Sequence, residues 1–265
     1  MYRTADRPRV AQRSATGPPP AAPARVVADL LPPALGTLSP LSVPPPGGRP
    51  RVWLIDVSAH ARSAQAAAGH TLSPAERDRA AAFMHREDRE AYLASHVALR
   101  RLLSAYTGVH PQSLDLIRDP CPLCSGPHGR PALKGGAGPY FSLSHTRGAG
   151  LVAVSATPVG VDGEAVSEIH VTDELRVLLH PREQNELAGT PHAVLDTAFA
   201  RAWTRKEAYL KGLGTGLGRS SVLDYVGTGL IPASPDPLWR VLDLALPPSF
   251  AGAVAWRATE LTGAA

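Results

Sequence analysis

The stretch with the strongest structural signal covers residues 195–212, of which residues 199–212 read FARAWTRKEAYLKG. At 3.6 residues per turn, the apolar side chains at positions 195, 199, 203 and 210 fall on one stripe of a helix. Lys206 lies inside that stripe, whereas Glu207 and Lys211 lie four residues apart along its edge. An ammonium group on an apolar face needs an anionic partner or must reach out along its stem. Lys206 therefore indicates a bound anion or a snorkelling side chain, and Glu207–Lys211 indicates a site or a surface ion pair.

A short predicted strand about forty residues upstream, residues 158–164, carries two carboxylates. Asp162 and Glu164 stand two positions apart, so their side chains point to the same side of the strand. Two carboxylates on one face repel each other unless a cation joins them, and Mg²⁺ commonly takes one or two such ligands together with water and phosphate. The same spacing occurs on many solvated strands, so the metal interpretation depends on the helix over 199–212.

A third group lies at the end of another predicted strand, residues 139–145. Ser144 and His145 precede the turn at residues 146–148, where a histidine can hydrogen-bond a phosphate. A single histidine is usually structural, but the acids, the lysines and this dipeptide together describe a site for Mg²⁺ and a polyanion. Such sites serve phosphoryl transfer.

The remaining pattern predicts an α+β fold with two pseudo-symmetric α/β halves. A strand is predicted over 51–57, and a helix begins at Pro74 behind a capping box of Ser73 and Glu76. Further elements are predicted in chain order: a helix through residues 84–103, strands at 139–145, 150–155 and 158–164, helices at 181–188 and 194–211, and strands near 222–226, 239–244 and 253–258. The halves are assigned to residues 50–158 and 159–265, and the second half carries the metal-binding acids.

Composition separates the first fifty residues from the rest. Twelve of the 27 prolines lie there, with few large apolar residues between them, which predicts a disordered Pro/Arg-rich tail over residues 1–49. The same fifty residues hold six arginines and two aspartates, whereas the remainder carries 21 basic and 21 acidic residues. The net charge of +4 therefore does not indicate a nucleic-acid partner.

The sequence disfavours two further classes of protein, membrane-spanning and secreted ones. No apolar run approaches the ~20 residues of a membrane-spanning helix, and the arginine-punctuated start lacks the apolar core of a secretory signal. Two cysteines in 265 residues cannot staple a secreted fold. We therefore expect a cytoplasmic protein without a membrane partner.

Several separated motifs resemble one family. Residues 160–164 (GVDGE) followed by residues 199–212 are similar to the paired signature of 4′-phosphopantetheinyl transferases, and residues 141–145 (FSLSH), 129–131 (GRP) and 72–103 agree with it. The resemblance spans about residues 51–258 and fits the monomeric Sfp type, with two pseudo-symmetric halves.

The resemblance implies transfer of the phosphopantetheine arm of coenzyme A to a serine of an apo acyl or peptidyl carrier protein, as in fatty acid, polyketide or nonribosomal peptide synthesis, with release of adenosine 3′,5′-bisphosphate. By motif position, Mg²⁺ would be held by Asp162, Glu164 and Glu207. Lys206 and Lys211 would meet phosphate oxygens, Lys211 near the bridging leaving group. Either Glu207 or a metal-bound water would take the serine proton. The 3′-phosphate end of coenzyme A would be bound by Ser144, His145 and Arg130, with Arg77 or Arg79 assisting.

Two departures from the family pattern affect these expectations. Gly163 stands where the family often has isoleucine, which predicts looser packing on the other face of the strand. Glu76 and Arg77 fall where basic residues often face the cofactor, so the sequence leaves the choice between Arg77 and Arg79 open.

Two surface features also remain open. Arg86, Arg89, Arg100 and Arg101 form either a docking surface for an acidic carrier protein or a solvated helix face. Cys121, Cys124 and His128 resemble half of a zinc site, for which His110 or another histidine would be needed, but a plain loop or a redox pair fits the same residues.

Two rival functions remain at this point. A Mg²⁺-dependent nuclease would also use clustered acids and lysine, but commonly has a lysine two residues after an acid, where this chain has Val166. A non-catalytic carrier-binding relative is disfavoured because all three acids and Lys211 are present.

Overall fold

The computed structural model of the chain describes residues 23–32, 38–136 and 138–259. Ten strands are formed by Val26–Val27 (β1), Asp29–Leu30 (β2), Arg51–Asp56 (β3), Leu116–Arg118 (β4), Pro131–Leu133 (β5), Tyr140–Thr146 (β6), Ala149–Ser155 (β7), Val159–Ala165 (β8), Trp239–Ala245 (β9) and Phe250–Arg257 (β10). Six α-helices are formed by Val57–Thr71 (α1), Pro74–Ala81 (α2), Arg86–Thr107 (α3), Asp173–Arg176 (α4), Pro181–Ala188 (α5) and His192–Leu213 (α6).

The three antiparallel strands of each large sheet share one topology, which agrees with the predicted α+β fold of two similar halves. The first sheet has the order β2-β3-β7-β6 and the second the order β1-β9-β10-β8. In each half a first strand pairs antiparallel with the third, and the third pairs antiparallel with the second. A 22-residue helix follows the first strand in each half, α3 in one and α6 in the other. The boundary assigned at 158/159 falls in the link between β7 and β8.

The two sheets face each other across a shared apolar core. Val52 and Leu151 of the first sheet meet Val161 and Val254 of the second. The outer face of the first sheet packs against α1 and α3, and the outer face of the second packs against α6. Burial of these branched side chains provides the main driving force for joining the halves.

Strand β8 and helix α6 approach unusually closely. A β-carbon at Gly160 would lie 1.9 Å from the carbonyl oxygen of Ala208 and 2.4 Å from the amide nitrogen of Gly212. Only glycine at position 160 allows this contact between backbones. The approach brings the charged edge of α6 beside the carboxylates of β8.

Two predicted segments differ from the structure. Residues 23–32 and 38–49 of the expected tail pack against the fold: β1 pairs parallel with β9, β2 pairs parallel with β3, and Leu31 is fully buried. The rest of that tail, residues 1–22 and 33–37, lies outside the described residues. The strand expected near 222–226 is absent, because Ser221–Leu223 forms a 3₁₀ turn instead.

Gly163 is also packed more tightly than predicted. A β-carbon there would lie 2.5 Å from Leu151 Cδ1, so the leucine fills the space that a side chain at position 163 would occupy. The looser packing expected from the missing side chain is therefore not observed.

Candidate active site

A cleft of about 930 Å³ lies where the edge strands β6 and β8 meet, between helices α2, α3 and α6. Eight of the ten residues predicted for the site line it: Arg79, Arg130, Ser144, His145, Asp162, Glu164, Glu207 and Lys211. The structure therefore brings together motifs that are up to 132 residues apart in the chain.

Asp162 is the centre of the polar contacts in this cleft. Its side chain is buried, and its Oδ1 accepts hydrogen bonds from Lys211 Nζ at 2.6 Å and from Ser144 Oγ at 2.8 Å. Its other oxygen, Oδ2, is buried without a hydrogen-bond partner among the described residues. A buried carboxylate oxygen without a partner is costly, so Asp162 requires a further donor or a cation.

The electrostatics of the cleft show an excess of negative charge around Lys211. Burial and the charge of Asp162 raise the pKa of Glu164 to about 7, and the same two causes raise the pKa of Glu207. Burial lowers the pKa of Lys211, but the carboxylates of Asp162, Glu207 and Glu164 outweigh it, so that pKa is raised overall. Three carboxyl groups thus share one ammonium, which favours an additional cation.

The donor set fits Mg²⁺, which prefers carboxylate oxygens. The unpartnered Asp162 Oδ2 and the raised pKa values of Glu164 and Glu207 both indicate room for a positive ion at this point. The oxygens of the three carboxyl groups do not all lie within 4.8 Å of one another, which is the criterion met elsewhere in the described residues. The three groups surround Lys211 instead.

His145 and Arg130 lie in the same cleft. His145 belongs to strand β6, whereas Arg130 immediately precedes strand β5. The pKa of His145 falls to about 4, first through desolvation in the cleft and then through the charges of His96 and Lys211. Arg130 donates to the carbonyl oxygen of Gly212 at 3.2 Å, and its Nε has no partner among the described residues. A neutral imidazole and a partly unsatisfied guanidinium suit hydrogen bonding to a phosphate.

The two candidate arginines of α2 differ in their position relative to the cleft. Arg79 lines the cleft. Arg77 instead donates to the carbonyl oxygen of Leu72 at 2.8 Å and secures the start of its own helix. The predicted contact of Arg77 with a cofactor is therefore not supported by its position.

Lys206 does not reach the cleft, contrary to the predicted phosphate contact. Its side chain is 1% exposed, and Nζ lies 2.8 Å from Glu183 Oε2 on helix α5. The same ammonium donates to the backbone carbonyls of Ser221 and Asp224. These partners satisfy a buried charge, so Lys206 holds α5 and the 221–224 turn to α6.

One network at the wall of the cleft was not predicted from the sequence. Glu76 accepts from Arg100 Nε at 2.6 Å, and Arg100 Nη1 donates to the carbonyl of Pro111 at 2.7 Å. Arg100 is buried, so it does not belong to an exposed docking surface.

Two aromatic side chains of α3 also line the cleft. The rings of Tyr92 and His96 stack on each other, with their centroids 3.9 Å apart. These two cleft residues were not predicted from the sequence. Their spacing of four residues would have indicated that they share one helix face.

The comparisons with known proteins agree on one family. A family model described as the 4′-phosphopantetheinyl transferase superfamily matches residues 158–234. The 4′-phosphopantetheinyl transferase HetI of Nostoc sp. (strain PCC 7120) is 32% identical over 181 residues, which are 66% of this chain and 73% of that protein.

Two more distant relatives carry the same family name. The putative 4′-phosphopantetheinyl transferase slr0495 of Synechocystis sp. (strain PCC 6803) is 28% identical over 55% of this chain and 58% of its own length. The 4′-phosphopantetheinyl transferase Sfp of Bacillus subtilis (strain 168) is 24% identical over 55% of this chain and 62% of its own length.

Proposed function

Because the chain belongs to the 4′-phosphopantetheinyl transferase superfamily, we propose that it transfers the phosphopantetheine arm of coenzyme A to a serine hydroxyl of an apo acyl or peptidyl carrier protein. The observation that carries this proposal is the meeting of Asp162, Glu164, Glu207 and Lys211 in one cleft with Arg130 and His145. Acids for a metal and cations for phosphates are the groups that transfer from a diphosphate needs.

Asp162, Glu164 and Glu207 would hold Mg²⁺ in this proposal. Support comes from the unpartnered Asp162 Oδ2 and from the three carboxyl groups that surround a single ammonium. When bound, the ion would offset negative charge on the diphosphate of coenzyme A.

Glu207 and Lys211 would act on the transferring group. The serine oxygen attacks the phosphorus attached to the pantetheine arm, and its proton passes to the carboxylate of Glu207, which lines the same cleft. The bond from that phosphorus to the bridging oxygen breaks, and the bridging oxygen leaves with adenosine 3′,5′-bisphosphate. The Lys211 ammonium would stabilise the charge that develops on this oxygen.

Arg130, His145 and Arg79 would bind the 3′-phosphate end of coenzyme A. All three line the cleft, and Arg130 and Arg79 supply positive charge there. Ser144 differs from the expectation, since its hydroxyl donates to Asp162 Oδ1. We assign Ser144 to orienting that carboxylate.

The proposal extends to the partner and the location. A monomer in the cytoplasm would act on acidic carrier proteins, with neither nucleic acid nor membrane as a partner. Arg86 and Arg89 are exposed at the start of α3 and remain candidates for docking, although Arg86 also pairs with Glu90 at 2.7 Å. Among the described residues, no helix combines the length and apolar content that crossing a bilayer requires.

The test is to incubate the protein with coenzyme A, Mg²⁺ and an apo carrier domain, and to weigh the intact carrier. We expect a gain of about 340 Da, the mass of the arm, and no gain with EDTA or with a carrier whose serine is replaced by alanine. Absence of any gain with several carriers would contradict the proposal. Cleavage of DNA or RNA in parallel reactions would favour a nuclease, and carrier binding without a mass gain would favour a non-catalytic relative.

A further inference from the structure

A second cluster of metal-ligating side chains lies in the loop between β4 and β5. The ligand atoms of Cys121, Cys124 and His128 all lie within 4.8 Å of one another, and Cys124 Sγ lies 3.0 Å from His128 Nε2. In the described part of the chain, no other group of three His, Cys, Asp or Glu residues meets this distance. The three residues are separate from the carboxylates around Lys211.

The loop backbone is shaped to bring the two sulfurs together. The Ser125 amide donates to the Cys121 carbonyl at 2.8 Å, and the Cys121 amide donates to the Gly126 carbonyl at 2.8 Å. Ser125 has φ of 59°, the only positive φ of a non-glycine residue among those described. This sparsely populated conformation is unfavourable for a residue with a side chain and needs compensation from its surroundings.

The chemistry of the cluster is that of a soft divalent ion. Two thiols three residues apart in a C-x-x-C pattern, with an imidazole four residues after the second, are ligands that Zn²⁺ prefers. Cys121 is buried, whereas Cys124 and His128 are exposed. An ion bound here would be shielded from water on the side of Cys121 and accessible to solvent on the other side.

We propose that Cys121, Cys124 and His128 bind a Zn²⁺ ion, with the fourth coordination position open to water or another exogenous ligand. His110, which the sequence offered as a further ligand, does not belong to the group of three. Three protein ligands with one open position are a common zinc arrangement.

The ion would fix the loop that carries Arg130. His128 stands two residues before Arg130, and both line the cleft. The loop closes on itself through the Asp119 amide, which donates to the Arg130 carbonyl at 2.8 Å, and the Gly129 amide, which donates to the Asp119 carbonyl at 2.9 Å. A zinc ion would therefore support the position of Arg130 at the rim of the cleft, irrespective of what the cleft binds.

The first test is the zinc content of the full chain, purified under reducing conditions without chelators and measured by inductively coupled plasma mass spectrometry. We expect about one zinc ion per chain. Cys124→Ser and His128→Asn should each lower that content more than about tenfold, since they remove a ligand. His110→Asn is the matched control and should keep the wild-type content, and circular dichroism should show that all variants are folded.

The second test uses Co²⁺ on the metal-free protein. We expect a thiolate-to-cobalt charge-transfer band and the intense visible bands of tetrahedral Co²⁺, retained in Asp162→Asn and lost in Cys124→Ser. Absence of both zinc and the cobalt spectrum in the wild-type protein would overturn the proposal. A wild-type intact mass two hydrogens short, restored by reductant, would overturn it in favour of a disulfide.

Discussion

Lys211 Nζ lies 2.6 Å from Asp162 Oδ1, so one ion pair connects helix α6 to strand β8 inside the cleft. Ser144 donates to the same oxygen, which leaves Asp162 Oδ2 for another partner. The aspartate thus has one oxygen directed to the protein and one available to a ligand. This division predicts that Asp162 and Lys211 serve the transfer reaction more than the stability of the fold.

Replacing Lys211 and Lys206 by methionine should separate two roles on one helix. Lys211→Met should lower kcat/KM for carrier modification at least about 100-fold, because it removes the cation that we propose stabilises the leaving oxygen. Lys206→Met leaves Glu183 buried without its partner and should lower the free energy of unfolding by about 3–5 kcal/mol. Urea denaturation and the carrier mass assay measure the two effects. Wild-type stability together with lost transfer in Lys206→Met would contradict the assignment.

Asp162→Asn should abolish transfer while the protein stays folded. Asparagine retains an oxygen that accepts from Ser144, but it removes the charge that pairs with Lys211 and that the proposed metal ion would need. We expect a loss of at least about 100-fold in kcat/KM and an unchanged circular dichroism spectrum. Asp236→Asn, which alters a carboxylate bonded only locally to the Leu238 amide, is the matched control. Equal turnover of Asp162→Asn and wild type would exclude the metal role.

Arg130→Met should distinguish coenzyme A from its analogue without the 3′-phosphate. If the guanidinium binds that phosphate, the variant should raise KM for coenzyme A by about tenfold or more, as loss of a charge-assisted hydrogen bond implies. The KM for dephospho-coenzyme A should change little. Steady-state kinetics with both substrates measure the difference, and an equal effect on the two would place the 3′-phosphate elsewhere.

Gly163→Ile should destabilise the fold, because its side chain would collide with Leu151. Overpacking of a filled core typically costs about 1–3 kcal/mol. In the double variant Gly163→Ile/Leu151→Ala the two changes should partly compensate, so its loss of stability should be smaller than the sum of the single losses. Denaturant unfolding of the four proteins forms the cycle. Strict additivity would show that the two side chains do not compete for one space.

Glu76→Gln should destabilise the fold, by an amount that depends on pH. Burial raises the pKa of Glu76, but hydrogen bonds from His96 and Ser73 and the charge of Arg100 outweigh it and lower that pKa from 4.5 to about 2. The carboxylate therefore stabilises the fold fully above pH 4.5 and loses this contribution as pH falls toward 2. We expect a loss of about 2–3 kcal/mol for Glu76→Gln at pH 7.

The pH profile provides the check on that value. The difference in unfolding free energy between wild type and Glu76→Gln should shrink as the pH is lowered from 4.5 toward 2. A difference that stays constant over this window would show that the charge of Glu76 is not the cause.

Local signals in the sequence predicted the parts of the fold that depend on neighbours in the chain. The capping box of Ser73 and Glu76 and the start of α2 at Pro74 are confirmed. Helix α1 was not predicted, because its alanine-rich sequence lacks a strong apolar stripe. The signal was Asp56, whose side chain caps the helix by accepting from the Ala59 amide.

The errors in the site have a common physical cause. Lys206 was expected to meet a phosphate, and Arg100 was assigned either to a docking surface or to a solvated helix face. Each is instead buried and paired with a carboxylate from a distant element, Glu183 and Glu76 respectively. Helical periodicity places a charge on a face and does not identify what covers that face. Pairings over such sequence distances depend on the tertiary fold.

The short strands β1 and β2 have a consequence for handling the protein. Residues 26–30 pair with β9 of one sheet and with β3 of the other, so a single five-residue segment connects the two sheets. A shortened chain that begins at the strand Arg51–Asp56 would lose both strand pairings. It would expose an unpaired edge on each sheet, and chains self-associate at such edges. Expression designs for this enzyme should therefore keep the residues from 23 onward.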